Sequence, residues 1–280
     1  MGGMSAYLAV LRPLNGSMAA AAVLIGSIVE PEQGLFHHTA VVIFLSISAF
    51  LVASGGNILN DLGDIEIDRK AHPRRPLPAG LIAVKDARVL LAVSWTAGVL
   101  LASTASLLLK AVLPVLIVLA SIGLLVLYER SLKEKGAAGN ICIGVLTGAP
   151  FLLGASAGSL SLMIGAIFLM ASLSNISREI MKDAEDMEVD RGLRSTIAIK
   201  VGKRSATIIA SAVMMLAIIS SMAPLISIGA DVLYIAGIAI ADWVLLISAI
   251  RSWQDPGLGQ RIAKLGMFAA MAVFSIWGLS

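Results

Sequence analysis

Hydrophobic residues in this chain come in long runs, not in the alternation of a half-buried strand or the one-sided stripe of a soluble helix. Nine runs stand out, over about 11–29, 39–60, 86–105, 107–128, 139–157, 159–181, 205–224, 228–250 and 261–279. At a rise of about 1.5 Å per residue, each is long enough to cross about 30 Å of hydrocarbon. Lipid offers no partner to backbone N–H and C=O groups, so each crossing must be a helix. The pattern predicts an all-α integral membrane protein with nine transmembrane helices. Little chain is left outside the runs, so residues 1–280 read as one domain.

The polar loops between the runs alternate in charge. All but Lys110 of the 21 basic residues fall in, or at the edge of, the loops on one side. Arg12, at the start of the first run, is among them. The excess of Lys and Arg marks the cytoplasmic side, which puts the N-terminus there too, and removing or adding a span would scramble the alternation. Composition agrees: the chain is 58% hydrophobic and 14% charged, against about 25% charged in soluble domains. The first run lacks the flanks of a removable signal peptide. Cys142 is the sole cysteine, so it forms no intrachain disulfide and reads as a buried, inert thiol. His37 and His38, adjacent in a plain loop without carboxylates, read as solvated residues and not as a metal site. The 26 glycines suit close helix approach in lipid.

Half of the 18 acidic residues sit in two octets. Asp61, Asp64, Glu66 and Asp68 follow the second run. Asp183, Glu185, Asp186, Glu188 and Asp190 follow the sixth. Both octets lie on the predicted cytoplasmic side. Asn60, Asp64 and Asp68 are spaced i, i+4, i+8, and Asp183, Asp186 and Asp190 are spaced i, i+3, i+7. If each helix runs on past the membrane surface, each trio lines one face. Carboxylates about 4 Å apart repel by about 4 kcal/mol at an effective dielectric near 20, and a cation between them reverses that sign. Oxygen-only ligands suit a hard ion such as Mg²⁺, which completes its shell with phosphate oxygens and water. Arg69, Lys70, Arg178 and Lys182 lie beside the acids and can take further phosphate charge.

The stretch GGNILNDLGDIEIDRKAHPRRPLPAG resembles the first aspartate-rich motif of the UbiA superfamily of intramembrane prenyltransferases, N-D-x-x-D-x-x-x-D, met by Asn60, Asp61, Asp64 and Asp68. REIMKDAEDMEVDRGLRST resembles the second, with Asp183, Asp186 and Asp190. LYERSLKEKGAAGN resembles the region after the fourth span, where Tyr128 and Lys133 match residues that approach a diphosphate. LRPLN, with Arg12, resembles the start of the first helix. The likeness runs in order over essentially the whole chain. It implies nine helices around a central cavity open toward lipid, with both motifs at the cytoplasmic mouth. It further implies two Mg²⁺ ions held by Asn60, Asp61, Asp64, Asp68, Asp183, Asp186 and Asp190. These would bridge to a prenyl diphosphate donor, with Arg12, Arg69, Tyr128, Lys133 and Lys182 helping to bind it.

Within the superfamily, the second motif with Ser195, Thr196 and the V-G-K-R turn resembles the archaeal digeranylgeranylglyceryl phosphate synthases most. That likeness implies transfer of a geranylgeranyl group to the free hydroxyl of geranylgeranylglyceryl phosphate, in the cell membrane. An aromatic acceptor (4-hydroxybenzoate, a quinone precursor or haem) is the alternative within the superfamily. A secondary transporter is the alternative of another class, disfavoured because the charged groups gather at one membrane face and not at the midplane. No nucleic-acid partner is expected. No general base for the acceptor hydroxyl is identifiable; an allyl cation needs little help from one. Asp242 is the one acid well inside a run, and an intramembrane carboxylate is a functional candidate or an interior hydrogen-bonding group.

Overall fold

The structure is a computed structural model that describes residues 3–29, 39–158, 160–190, 195–224 and 232–279. The histidine loop, Arg191, Arg194 and the side chain of Asp190 lie outside the described residues. Among the described residues all regular structure is helical. In order, the helices are α1 (Gly3–Leu11), α2 (Pro13–Ile28), α3 (Thr39–Gly63), α4 (Ile65–Ala71), α5 (Val84–Leu109), α6 (Leu113–Leu127) and α7 (Ala137–Ala155). Then come α8 (Leu162–Glu185), α9 (Met187–Asp190), α10 (Ile197–Val201), α11 (Lys203–Ser220), α12 (Val232–Arg251) and α13 (Pro256–Trp277).

A long helix lies on each of the nine hydrophobic runs. Length and apolar composition qualify six of them as membrane spans, α3, α5, α6 extended to Leu132 by the turn that follows it, α7, α11 and α12; α1 and α2 together, bent by 44°, would make a seventh. The two remaining long helices, α8 and α13, are made more polar by charged residues within them, Arg178 and Glu179 in one and Arg261 and Lys264 in the other.

Local signals set several ends. Proline stands in the first turn of α2, α6 and α13, where its missing N–H costs nothing. Ser161 caps α8 by accepting from the Ile164 N–H at 3.2 Å, and Asp255 caps α13 by accepting from Leu258 at 2.9 Å; such caps stabilise by about 1 kcal/mol. The α1–α2 bend falls on Arg12, a non-glycine residue with φ 47°, which leaves its side chain at the joint between two helices.

Helix packing closes a ring. Contacts run α2–α3–α5–α6–α7–α8–α11–α12–α13 and return to α2. Other contacts cross that ring, the most extensive being α2–α7 and α8–α13. The α2–α7 contact is close because it is built on glycine: a Cβ at Gly26 would strike the Phe151 backbone, and one at Gly154 would strike the Val23 carbonyl. Small residues at such crossings let backbones touch where no hydrophobic effect drives helices together. The crossing divides the interior into two compartments, and both contain a cavity.

Candidate active site

The first acidic cluster sits where α3 breaks into α4. The straight continuation expected from the i, i+4, i+8 spacing is corrected here: the helix ends at Gly63, and Asp64 takes φ −94°, ψ 6°. That is the sparsely populated bridge region, which active-site residues often occupy. The backbone ladder survives the bend, with Asp64 N–H to Asn60 O at 3.0 Å and Asp68 N–H to Asp64 O at 2.8 Å. Gly and Asp are poor helix formers, and the acids around the bend take separate partners. Asn60 and Asp64 stay together, the Asn60 amide donating to Asp64 Oδ2 at 3.1 Å. Asp68 turns instead to Arg75, 2.7 Å away. Asp61 is paired with Arg12 at the α1–α2 bend.

Asp64 also meets Lys133, whose Nζ lies 2.7 Å from Asp64 Oδ1 and 2.9 Å from Glu129 Oε1. Lys133 reaches that point through a turn no sequence pattern announced. Past Leu127 the helix widens into a π-helical stretch, Tyr128–Leu132, closed by Lys133 N–H to Tyr128 O at 2.9 Å. Such bulges are uncommon and concentrate at functional sites. Gly63 makes room for this arrangement, since a Cβ there would collide with the Glu129 carboxylate. All three side chains in the Asp64–Lys133–Glu129 group are largely buried.

The second cluster repeats the first in its backbone. Here α8 ends at Glu185 and Asp186 takes φ −85°, ψ 3° before α9 begins. Its straight continuation is corrected in the same way. The middle aspartate of each trio therefore lies at a helix break with nearly the same conformation. Asp183 accepts a hydrogen bond from the Asn140 amide of α7 at 2.9 Å.

A cavity of about 430 Å³ has Asn60 of the first motif and Lys182, next to the second, in its wall, although none of the described motif aspartates lines it. It lies among α2, α3, α6, α7 and α8. Its polar end includes Arg12, Asn60, Tyr128, Glu129, Glu179 and Lys182, and its deeper wall is apolar, with Val52, Val118 and Leu153. Asn60 of the first motif and Lys182, next to the second, thus face one space. Arg69 does not join them: it is well exposed and bonds Glu66 at 2.8 Å. Glu129, Asn140 and Arg75 are the site residues that sequence reasoning missed. The pairing of Arg75 had a local hint in the Arg-Arg of HPRRP, whereas Glu129 and Asn140 depend on helices meeting in space. Asp242 lines neither this cavity nor its neighbour. Ser221 donates to it at 2.6 Å and, through its carbonyl, accepts from Tyr234 at 2.8 Å, so Asp242 ties α12 to the end of α11. Cys142 is buried, with its thiol 3.5 Å from the Leu124 carbonyl.

The donor chemistry at the mouth fits a hard divalent cation. The side chains are carboxylates and an amide; with its Nδ2 turned to Asp64, Asn60 keeps Oδ1 available. Among the described residues no three Asp, Glu, His or Cys side chains form a ready cage. Mg²⁺ does not need one when a ligand's phosphate oxygens and water complete its octahedron.

A ring of apolar helices with two acidic helix breaks and an interior cavity lined beside them by Asn60 and Lys182 suits a multi-pass membrane prenyltransferase. The chain belongs to the UbiA prenyltransferase family, whose profile matches residues 17–272. It is 34% identical to the digeranylgeranylglyceryl phosphate synthase of Methanoculleus marisnigri, an alignment covering 98% of each chain. A solved structure of a digeranylgeranylglyceryl phosphate synthase superposes with a TM-score of 0.82 at 29% identity, covering 100% of this chain and 99% of that one. The fold is also that of a UbiA homologue from Archaeoglobus fulgidus solved with GPP and Mg²⁺, with a TM-score of 0.67, 17% identity, and coverage of 96% and 99%.

Proposed function

We propose that this chain transfers a geranylgeranyl group from geranylgeranyl diphosphate to the free hydroxyl of geranylgeranylglyceryl phosphate, forming the second ether of an archaeal membrane lipid. The observation that carries the reading is one cavity whose polar end joins Asn60 of one aspartate cluster to Lys182 beside the other, in a chain similar over its whole length to synthases of that name.

In this reading the donor tail lies along the apolar wall of the cavity and its diphosphate lies at the mouth. Asn60, Asp61, Asp64, Asp68, Asp183, Asp186 and Asp190 hold two Mg²⁺ ions, while Arg12, Tyr128, Lys133 and Lys182 bind the diphosphate. Arg69 would have to leave Glu66 to help. Bound Mg²⁺ supplies positive charge to the oxygens of the departing diphosphate. The chain's own cations add to it: Lys133 and Lys182 present ammonium groups where negative charge grows as the C1–O bond breaks and its electron pair leaves with diphosphate. The acceptor oxygen then bonds to C1 of the allyl cation and gives up its proton, leaving an ether and diphosphate. The apolar wall keeps water from the cation. The chain is read as one domain of nine spans in the cell membrane, with the N-terminus and the cavity mouth cytoplasmic; the one-sided placement of Lys and Arg supports that orientation.

The test is purified protein with Mg²⁺, labelled geranylgeranyl diphosphate and parallel acceptors. Product is expected with geranylgeranylglyceryl phosphate and not with 4-hydroxybenzoate. Product with the aromatic acceptor alone would overturn the assignment.

A further inference from the structure

Beside the cavity at the aspartate clusters lies a second, of about 490 Å³, bounded mainly by α2, α7, α8 and α13. The α2–α7 crossing separates the two. Toward the C-terminal ends of those helices it is sealed by the contacts of Gly26 and Gly154. Toward the mouth it is thin, and Asn15, Ala19, Leu146, Thr147 and Pro150 line both cavities.

The cavities differ in charge. Glu129 and Glu179 line the first. Among the described residues no Asp or Glu lines the second, whose charged groups are Arg178 and Lys264 and whose remaining wall is mostly hydrocarbon. Helix α8 sorts the two chemistries by its own periodicity. Asn175 and Arg178, three apart, face the second cavity, whereas Glu179 and Lys182, three apart, face the first. Lys264 arrives from α13. The charged groups close to it are Arg178, Glu179 and Lys182, and Glu179 is already bonded to Arg178. No ion pair among the described residues involves Lys264.

Asn175 points to a ligand independently. It is 4% exposed. Its Oδ1 accepts from Arg178 Nε at 3.0 Å, which fixes the orientation of the amide. Its buried Nδ2 has no hydrogen-bond partner. Native structures rarely leave such a donor unmatched, and an oxygen entering the cavity would satisfy it.

We propose that this second cavity seats the acceptor, with a phosphate monoester between Arg178 and Lys264, an oxygen accepting from Asn175 Nδ2, and a single isoprenoid chain along α13. This rests on the reading of the reaction given above. A metal-bridged diphosphate belongs with the carboxylates of the first cavity; a monophosphate on one chain needs only cations and an apolar trough. The thin wall at Asn15, Ala19 and Thr147 is where acceptor hydroxyl and donor carbon would meet.

The test is steady-state kinetics of the full chain, reconstituted in bilayers of neutral lipid, for Arg178→Gln and Lys264→Gln. The KM for geranylgeranylglyceryl phosphate is expected to rise about tenfold or more, with the KM for geranylgeranyl diphosphate unchanged. With geranylgeranylglycerol, which lacks the phosphate, wild type and variants should perform alike. Lys264→Arg should restore most of the acceptor affinity, which a merely misfolded variant would not allow. An unchanged acceptor KM, or a donor KM that rises in step with it, overturns the proposal while leaving the assigned reaction intact. Wild type that fails to use geranylgeranylglyceryl phosphate overturns both.

Discussion

Asp64 and Asp186 occupy matching helix breaks, and two contacts beside those breaks differ in kind: an ammonium meets Asp64 and a neutral amide meets Asp183. In the first cluster every aspartate is met by a cation from another part of the chain: Asp61 by Arg12, Asp64 by Lys133 and Asp68 by Arg75. In the second, Asp183 is met by the neutral amide of Asn140. A neutral donor such as the Asn140 amide orients a carboxylate, whereas an ammonium also offsets its charge. The first cluster is therefore close to charge-balanced before any ligand arrives, with Lys133 held between Asp64 and Glu129. Removing a cation from the first cluster strands buried charge. Removing the amide from the second loosens a side chain.

The strongest way to break this picture is to remove the middle aspartates. Asp64→Ala and Asp186→Ala should each lower kcat/KM about a thousandfold, because in the proposed reaction both breaks serve one leaving group. Near-full activity of either at saturating Mg²⁺ would remove that residue from the metal site. Next comes Lys133→Met, which leaves Asp64 and Glu129 uncompensated in a largely buried pocket. A loss of about 3 kcal/mol is expected, read as a lowered melting temperature in detergent, and Glu129→Gln added to it should recover part of that loss.

The glycines beside the two clusters give a finer contrast. A Cβ at Gly63 meets Glu129, which Lys133 holds in place, so Gly63→Ala should cost about 1–3 kcal/mol. A Cβ at Gly257 meets Glu185, whose carboxylate is near the surface and bonded to Gln260 at 3.0 Å; that side chain can swing away, and Gly257→Ala should cost less in the same melt. Asn140→Ala should cost about 1 kcal/mol, clearly less than Lys133→Met. Equal losses from Asn140 and Lys133 would erase the distinction between the clusters. Arg69→Ala should change stability by under about 0.5 kcal/mol, with activity within about twofold of wild type, because Arg69 and Glu66 are both exposed.

Much of this was legible in the residues alone. Runs of apolar residues reported helices because lipid permits little else, and two acidic octets beside apolar runs pointed to a metal–diphosphate site because clustered carboxylates repel unless a cation lies between them. The trios would line one face only if each helix ran on, and that condition fails at Asp64 and Asp186. A spacing of three or four describes a helix that continues, but it carries no information on where Gly63 must yield to Glu129 from another helix. The π-helical turn at Tyr128 was hidden for a similar reason: nothing in YERSL distinguishes it from an ordinary α-helical turn. Asp242 was open between catalysis and structure, and its hydrogen bond from Ser221, away from both cavities, favours structure.

What the sequence determined by itself are the properties that follow from near neighbours: which segments are helical, how apolar they are, where charge is concentrated and which motif it spells. Those depend on periodicity and composition over a few turns. What only the tertiary structure decided are properties of pairs far apart in the chain. The meeting of Lys133 with Asp64 is one. The division of the interior by α2 and α7 is another, and it turns on two glycines, Gly26 and Gly154, that look like any of the other small residues. The facing of Arg178 and Lys264 across a second cavity is a third. Each depends on which surfaces of two helices touch, and that is settled by packing summed over the whole ring.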